Sequence, residues 1–383
     1  MAKGKAIAAG HICLDITPAI HSKTKKDADR FFAPGRLIAV DEATISLGGS
    51  VANTGIGMKR LGADVELGGM TGNDEFGRML RSELAGYGIS DSTMKQSDEV
   101  STSYSVILAP PGIDRIILHH PGANDLFTED DVDYDLVARK NLFHFGYPPH
   151  MHGIYKDNAR GLKKILKRVH ELGVATSVDM VLFEEDSEVG ALDWDAILLD
   201  CMPDLDFFVP SVEELCLMLD RERYHEWLRR AEGRDLTTVL DPFTDVKPLA
   251  DRLLSYGAKV LLIKCGAPGI YFRTAGREKL LTIGGGIGER IADSWADVEY
   301  FEESYHVEKV LSGTGAGDTT IAGFLTALLE ECPWQDCLHL AAAAGASCVQ
   351  TYDSLSGIPT LDELKEKIRA GWPKDHRTVK EEK

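Results

Sequence analysis

Residues 312–331 read SGTGAGDTTIAGFLTALLEE, which sets Gly315, Ala316 and Gly317 directly before Asp318 and a strongly apolar run. Small residues allow a turn whose successive backbone N–H groups converge on one concavity. The start of a helix adds roughly half a positive charge to that spot, and together they make a seat for a phosphate-like anion. Helix capping alone accounts for an aspartate at such a turn. A carboxylate beside an anion seat nevertheless repels the anion. It belongs there if it must accept a proton from a hydroxyl that attacks the anion.

A second segment, residues 47–77, reads LGGSVANTGIGMKRLGADVELGGMTGNDEFG. Gly48 and Gly49 precede a helical pattern, so the chain can approach a ligand closely. Asn53, one turn further on, offers a polyol both a donor and an acceptor; an ordinary turn with a helix-facing asparagine is the plainer account. Other phosphate motifs fail. No GxxxxGK[ST] occurs, and GGGIGE at 284–289 has Glu289 where the last glycine of a dinucleotide fingerprint belongs, with no obvious helix behind it. Tyr147-Pro148-Pro149-His150 follows a strand-like run, where it could shape an acceptor site or serve as a rigid turn. His119, His120 and His150 lack a recognised metal spacing and are read as non-ligands.

The elements that must position these residues alternate. KAIAAGHICL (5–14) reads as a buried first strand ending at Asp15. A helix follows from Ser50 to Leu61, then the strand VELGGMT and the helix EFGRMLRSELAGYG. Strands LFHFGY, VATSVDM, DFFVP and KVLLIKCG alternate with helices over 154–172, 193–200, 211–219 and 246–256. This rhythm implies a mostly parallel sheet covered on both faces, with ligands beyond the strands' carboxyl ends. Two β-rich pieces, about 15–48 and 100–121 with PPGID as a hairpin turn, break the rhythm and are expected to pair as a separate small sheet, a lid. The acidic stretch 284–306 reads as a solvated loop or hairpin. The charged tail 374–383 is expected to fray.

The chain has 383 residues, enough for one large α/β unit, here placed at 1–373. Its net charge of −19 repels nucleic acid and anionic lipid, so neither nucleic acid nor a membrane is an expected partner. The same charge repels phosphate esters, so an anion site needs local donors or a metal. Seven scattered cysteines without a CxxC pair suggest reduced thiols and a cytoplasmic protein.

The two glycine-rich segments resemble the two signature regions of the ribokinase-like, PfkB-type carbohydrate kinases. Gly72, Asp74 and Gly77 of GNDEFG extend the likeness, which spans nearly the whole chain. The resemblance implies a three-layer α/β/α fold with a small β-rich lid. It implies ATP-dependent phosphorylation of a hydroxyl on a small sugar-like acceptor, with Mg²⁺. Position by position, Asp318 matches the general base and Gly315, Ala316 and Gly317 the anion hole. Asp15, Gly48, Gly49 and Asn53 match acceptor contacts. Gly266 matches the nucleotide lining, with Thr314 and Lys264 on the same side; Lys264 could touch a phosphate or merely sit at a strand edge. Glu213 matches a residue that holds Mg²⁺ through water. Pro210 stands where relatives have asparagine. Ser312 stands where they have an aspartate that helps hold a monovalent cation, which leaves that cation open. Relatives often dimerise through the lid, so a homodimer is a further expectation. A nucleoside acceptor, or a non-catalytic metabolite-binding relative, are the alternatives.

Overall fold

The structure is a computed structural model that describes residues 4–20, 34–35, 37–108, 116–351 and 353–376. Its strands are β1 (Lys5–Gly10), β2 (Cys13–Pro18), β3 (Ala43–Gly48), β4 (Asp64–Gly72), β5 (Met94–Ser97), β6 (Tyr104–Leu108), β7 (Ile116–His120), β8 (Leu142–Gly146), β9 (Ala175–Asp179), β10 (Phe207–Phe208), β11 (Val260–Lys264), β12 (Gly269–Thr274) and β13 (Glu299–Glu303). The helices that matter below are α1 (Gly49–Arg60), α2 (Glu75–Gly86), α3 (His152–Glu171), α4 (Val212–Leu219), α5 (Lys247–Tyr256), α6 (Ile287–Trp295), α7 (Ala316–Leu329), α8 (Trp334–Cys348) and α9 (Leu361–Arg369).

Nine strands form the main sheet in the order β13-β12-β11-β10-β9-β8-β1-β4-β5. From β11 through β5 every neighbouring pair is parallel, while β12 and β13 are antiparallel additions. The inner parallel strands β1, β8, β9, β10 and β11 are almost wholly buried because both faces are covered. In β1, Ala6 and Ala8 enter one core, and Ile7 and Ala9 enter the other. In β11, Val260 and Leu262 alternate likewise with Leu261 and Ile263. This fixes the register, since a one-residue slip would exchange the two faces.

The two β-rich pieces supply a separate four-stranded sheet, β3-β2-β6-β7. Ile45, Ile117 and Leu118 of this sheet are exposed. The expected turn PPGID lies outside the described residues.

Two expectations at the C-terminal side are corrected. The acidic stretch after Gly284 is neither loop nor hairpin: the GGGIGE glycines do open a helix, α6, which leads into β13. Ile287, Ile291, Ala292 and Trp295 share one buried face, and the interleaved charges masked that periodicity. The C-terminal part carries the helix pair α8 and α9. The start of the tail is tied down, with the Asp375 N–H donating to the Ser304 carbonyl at 2.9 Å; residues 377–383 lie outside the described residues.

Helix α7 is the centre of the molecule. Thr319 through Leu329 are all buried, as expected for a helix apolar on every side. It packs on α8 and α1 at very short range. A Cβ on Gly323 would lie 2.8 Å from the Leu340 carbonyl, and one on Gly57 would lie 2.9 Å from the Ala322 Cβ. Small residues at both crossings hold α7 in place, and therefore hold its first turn.

Candidate active site

The carboxyl ends of β8, β9 and β11 deliver Tyr147, Asp179 and Lys264 to one edge of the main sheet. The first turn of α7 arrives at the same edge. Gly315 takes a left-handed φ of 73°, and a Cβ there would meet the Ser354 Cβ at 2.2 Å, so only glycine fits. The turn 315–317 thus opens α7 with its N–H groups at the helix start, the arrangement expected of an anion seat.

Asp318 is 3% exposed. It is no simple helix cap, because its carboxylate is bound by side chains from far along the chain. The Tyr147 hydroxyl donates to both oxygens, at 3.0 and 2.9 Å, and Asn53 Nδ2 donates to Oδ2 at 3.0 Å. Ser354 in turn donates to Asn53 Oδ1 at 2.6 Å, which fixes the amide orientation. Burial pushes the Asp318 pKa above the ordinary carboxylate value; Asn53, Lys264 and Tyr147 pull it down without cancelling burial. Burial and the Asp318 charge push the Tyr147 phenol well above its usual range, so Tyr147 remains a donor. Tyr147 holds φ of 61°, a strained conformation for a bulky residue.

Lys264 is buried, and Nζ lies 2.5 Å from Asp179 Oδ1 and 2.7 Å from the Val209 carbonyl. Burial works against its charge, but Asp179 and Glu214 outweigh that and hold its pKa above the ordinary value. It ends β11, an interior strand between β10 and β12. The position of a Cβ on Gly317 would be 3.4 Å from Lys264 Cε. The lysine therefore underlies the glycine turn, with its head group held by Asp179.

The acceptor candidates gather on the other side of Asp318. Asp15 lies in β2 opposite Ser46, and a Cβ on Gly48 would come within 2.3 Å of its Oδ2. Gly49 has φ of 82° and would place a Cβ 2.6 Å from His11 Nδ1. Both glycines are thus required by contacts within the protein. Asn53 is likewise bonded to Asp318 and Ser354, so it steadies the carboxylate.

Gly266 follows β11 at φ of 61°, packed on Thr237. Thr314 is held by Ser312, whose Oγ lies 3.1 Å from Thr314 Oγ1. Glu213 is in the first turn of α4, whose start is closed by the Ser211–Glu214 capping box. Burial pushes Glu213 up to about 7, with Glu214 and Asp235 adding repulsion. A carboxylate so raised is a group that gains from a nearby cation. The GGGIGE turn does not join this site. It lines a cavity of about 470 Å³ with Gly4 and Asn141, at the amino ends of β1 and β8.

Sequence reasoning missed three parts of the site. Tyr147 was placed on the correct side, but its bond to Asp318 was not foreseen. Asp179 carried a readable signal, an aspartate closing a buried strand. Ser354 carried none. His119 and His150 meet His11, which the spacing along the chain could not reveal.

Known proteins resemble this chain along nearly its whole length. Residues 13–361 match the family model described as pfkB family carbohydrate kinase. An uncharacterized sugar kinase of Archaeoglobus fulgidus is 22% identical over 79% of this chain and 98% of its own length. A 2-dehydro-3-deoxygluconokinase of Bacillus subtilis is 25% identical over 91% of this chain and 93% of its own. The structure of an Arabidopsis thaliana ribokinase complexed with ribose and ATP superposes with a TM-score of 0.68, covering 96% of this chain and 98% of that one at 20% identity. At that identity the likeness establishes the ribokinase fold, whereas the family match spans the glycine pair, the glycine turn and the buried aspartate alike. The chain belongs to the pfkB family of carbohydrate kinases.

Proposed function

We propose that this kinase transfers the γ-phosphoryl group of ATP to a hydroxyl of a small sugar or sugar-like acceptor, with Asp318 as the general base. The observation that carries the reading is a buried carboxylate held by Tyr147 and Asn53 one residue beyond a glycine turn at a helix start. The ribose and ATP of the Arabidopsis ribokinase structure support the choice of ligands.

Asp318 takes the hydroxyl proton as the acceptor oxygen attacks, and the 315–317 backbone stabilises charge on the transferring oxygens. Its raised pKa makes it a better base than an exposed aspartate. ATP lies along Gly266 and Thr314, with Lys264 beneath the turn and its charge balanced by Asp179. Mg²⁺ supplies neutralisation of phosphate oxygens when bound. Glu213 fits a role through water, since Mg²⁺ retains several waters and takes one or two carboxylates plus phosphate oxygens. The acceptor sits between Asp15 and Asp318 beneath the four-stranded sheet, whose closure excludes water.

The test is ADP release with a panel of sugars, sugar acids and nucleosides, followed by D318N with the best acceptor. We expect kcat to fall on the order of 10²-fold or more while ATP affinity stays within a few-fold. Unchanged turnover in D318N would remove Asp318 as the base. Preference for nucleosides would reassign the acceptor.

A further inference from the structure

Three imidazoles meet beside the acceptor side of Asp318, and the kinase reaction uses none of them. His11 follows β1 and is 3% exposed. His119 comes from β7 of the four-stranded sheet, and His150 closes the turn after β8. One ring nitrogen from each lies within 4.8 Å of the other two. His11 Nε2 and His119 Nε2 are 3.2 Å apart. Two nitrogens at 2.0–2.1 Å from a tetrahedral zinc ion are about 3.3–3.4 Å apart, so this edge already has the spacing of a metal site.

The surroundings suit ligands. His119 Nδ1 is 3.1 Å from Ser105 Oγ, and His150 Nε2 is 3.2 Å from the Leu182 carbonyl. His119 thus spends Nδ1 on a neighbour and keeps Nε2 for the cluster, the pattern of an oriented metal-binding histidine. His11 Nδ1 is buried and has no hydrogen-bond partner. Burial lowers the pKa of all three rings, helped at His11 and His119 by the neighbouring imidazoles. Neutral imidazole is the form that binds metal. His119 remains partly open to solvent, which gives an ion a way in.

We propose that His11, His119 and His150 form a three-imidazole site for a divalent transition ion of the Zn²⁺ class, with its fourth position open to water or to an acceptor oxygen. Three neutral nitrogens suit Zn²⁺, Co²⁺ or Ni²⁺ and do not suit Mg²⁺, which prefers oxygen. The ion would join the four-stranded sheet to the main sheet, because His119 belongs to the first and His11 and His150 follow strands of the second. Tyr147 links the site to the catalytic side, its ring centroid 6.0 Å from that of His11 and 6.5 Å from that of His150.

The experiment uses tag-free full-length protein stripped of metal and titrated with Co²⁺, read by visible absorption, and with Zn²⁺, read by calorimetry. We expect one ion per chain and an intense tetrahedral Co²⁺ spectrum. H119A should lose at least about 100-fold in affinity with its circular dichroism unchanged, and S105A, which removes only the supporting hydroxyl, about 10-fold or more. Absence of the tetrahedral spectrum in the wild type would overturn the proposal, as would equal binding by H119A. Neither readout depends on turnover, so the site stands or falls apart from the kinase mechanism.

Discussion

Tyr147 and Asn53 turn a buried aspartate into a directed one. Both donate to Asp318, and both favour its ionised form against the burial that opposes it. Removing the Tyr147 hydroxyl should therefore raise the Asp318 pKa. A base must be ionised to act, so activity in Tyr147→Phe should be lost at a higher pH on the acid side. Hydrogen bonds to charged groups contribute about 1.5–3 kcal/mol, which corresponds to a shift of roughly one pH unit or more in that limb. The pH profile of kcat/KM measures it. A limb that does not move would leave the tyrosine as packing only. The sequence exposed Asp318 and its glycine turn because both are local features. It left Tyr147, Asn53 and Ser354 unconnected, since their bonds to one another and to Asp318 cross 171, 265 and 301 residues.

Strand ends and one helix start do the positioning at the scale of elements. The carboxyl ends of β9 and β11 are fastened by the buried Asp179–Lys264 pair, and Lys264 also reaches the Val209 carbonyl after β10. Lys264→Met would leave Asp179 buried and uncompensated, which destabilises by about 3–5 kcal/mol. Adding Asp179→Leu should recover much of that loss. Urea unfolding of the single and double variants tests this, and a single variant as stable as the wild type would show that the pair is not a fastening. The βα rhythm was legible because parallel strands buried on both faces are short apolar runs. The helix α6 and strand β13 were not, because their buried residues are diluted by charge. The two-residue strand β10 was still legible within DFFVP.

At the scale of the whole molecule, burial of neutral histidine sets a limit in acid. His144 lies in β8 with Nδ1 3.0 Å from Ser177 Oγ, and burial, helped by Lys264, lowers its pKa from 6.5 to about 3. Between those values the unfolded chain binds the proton and the folded chain does not, so stability falls as pH drops below about 6.5. The slope is at most about 1.4 kcal/mol per pH unit for this one group. The buried His11 acts in the same direction. Urea midpoints from pH 7.5 down to 5.5 should fall in the wild type and fall less steeply in His144→Gln. Equal slopes would place the acid sensitivity elsewhere.

The sequence by itself determined the α/β class, the split into a large and a small sheet, the glycine turn before α7 and the family that these imply. Those features are written in neighbouring residues, through periodicity, turn chemistry and local spacing. Only the tertiary structure decided that Asp318 is bound by Tyr147 and Asn53, that Lys264 is neutralised by Asp179, and that three distant histidines share one point. Such pairings depend on which strand ends come to the same sheet edge. That is fixed by strand order and by the close packing of α7 at Gly57 and Gly323, and no local pattern encodes it.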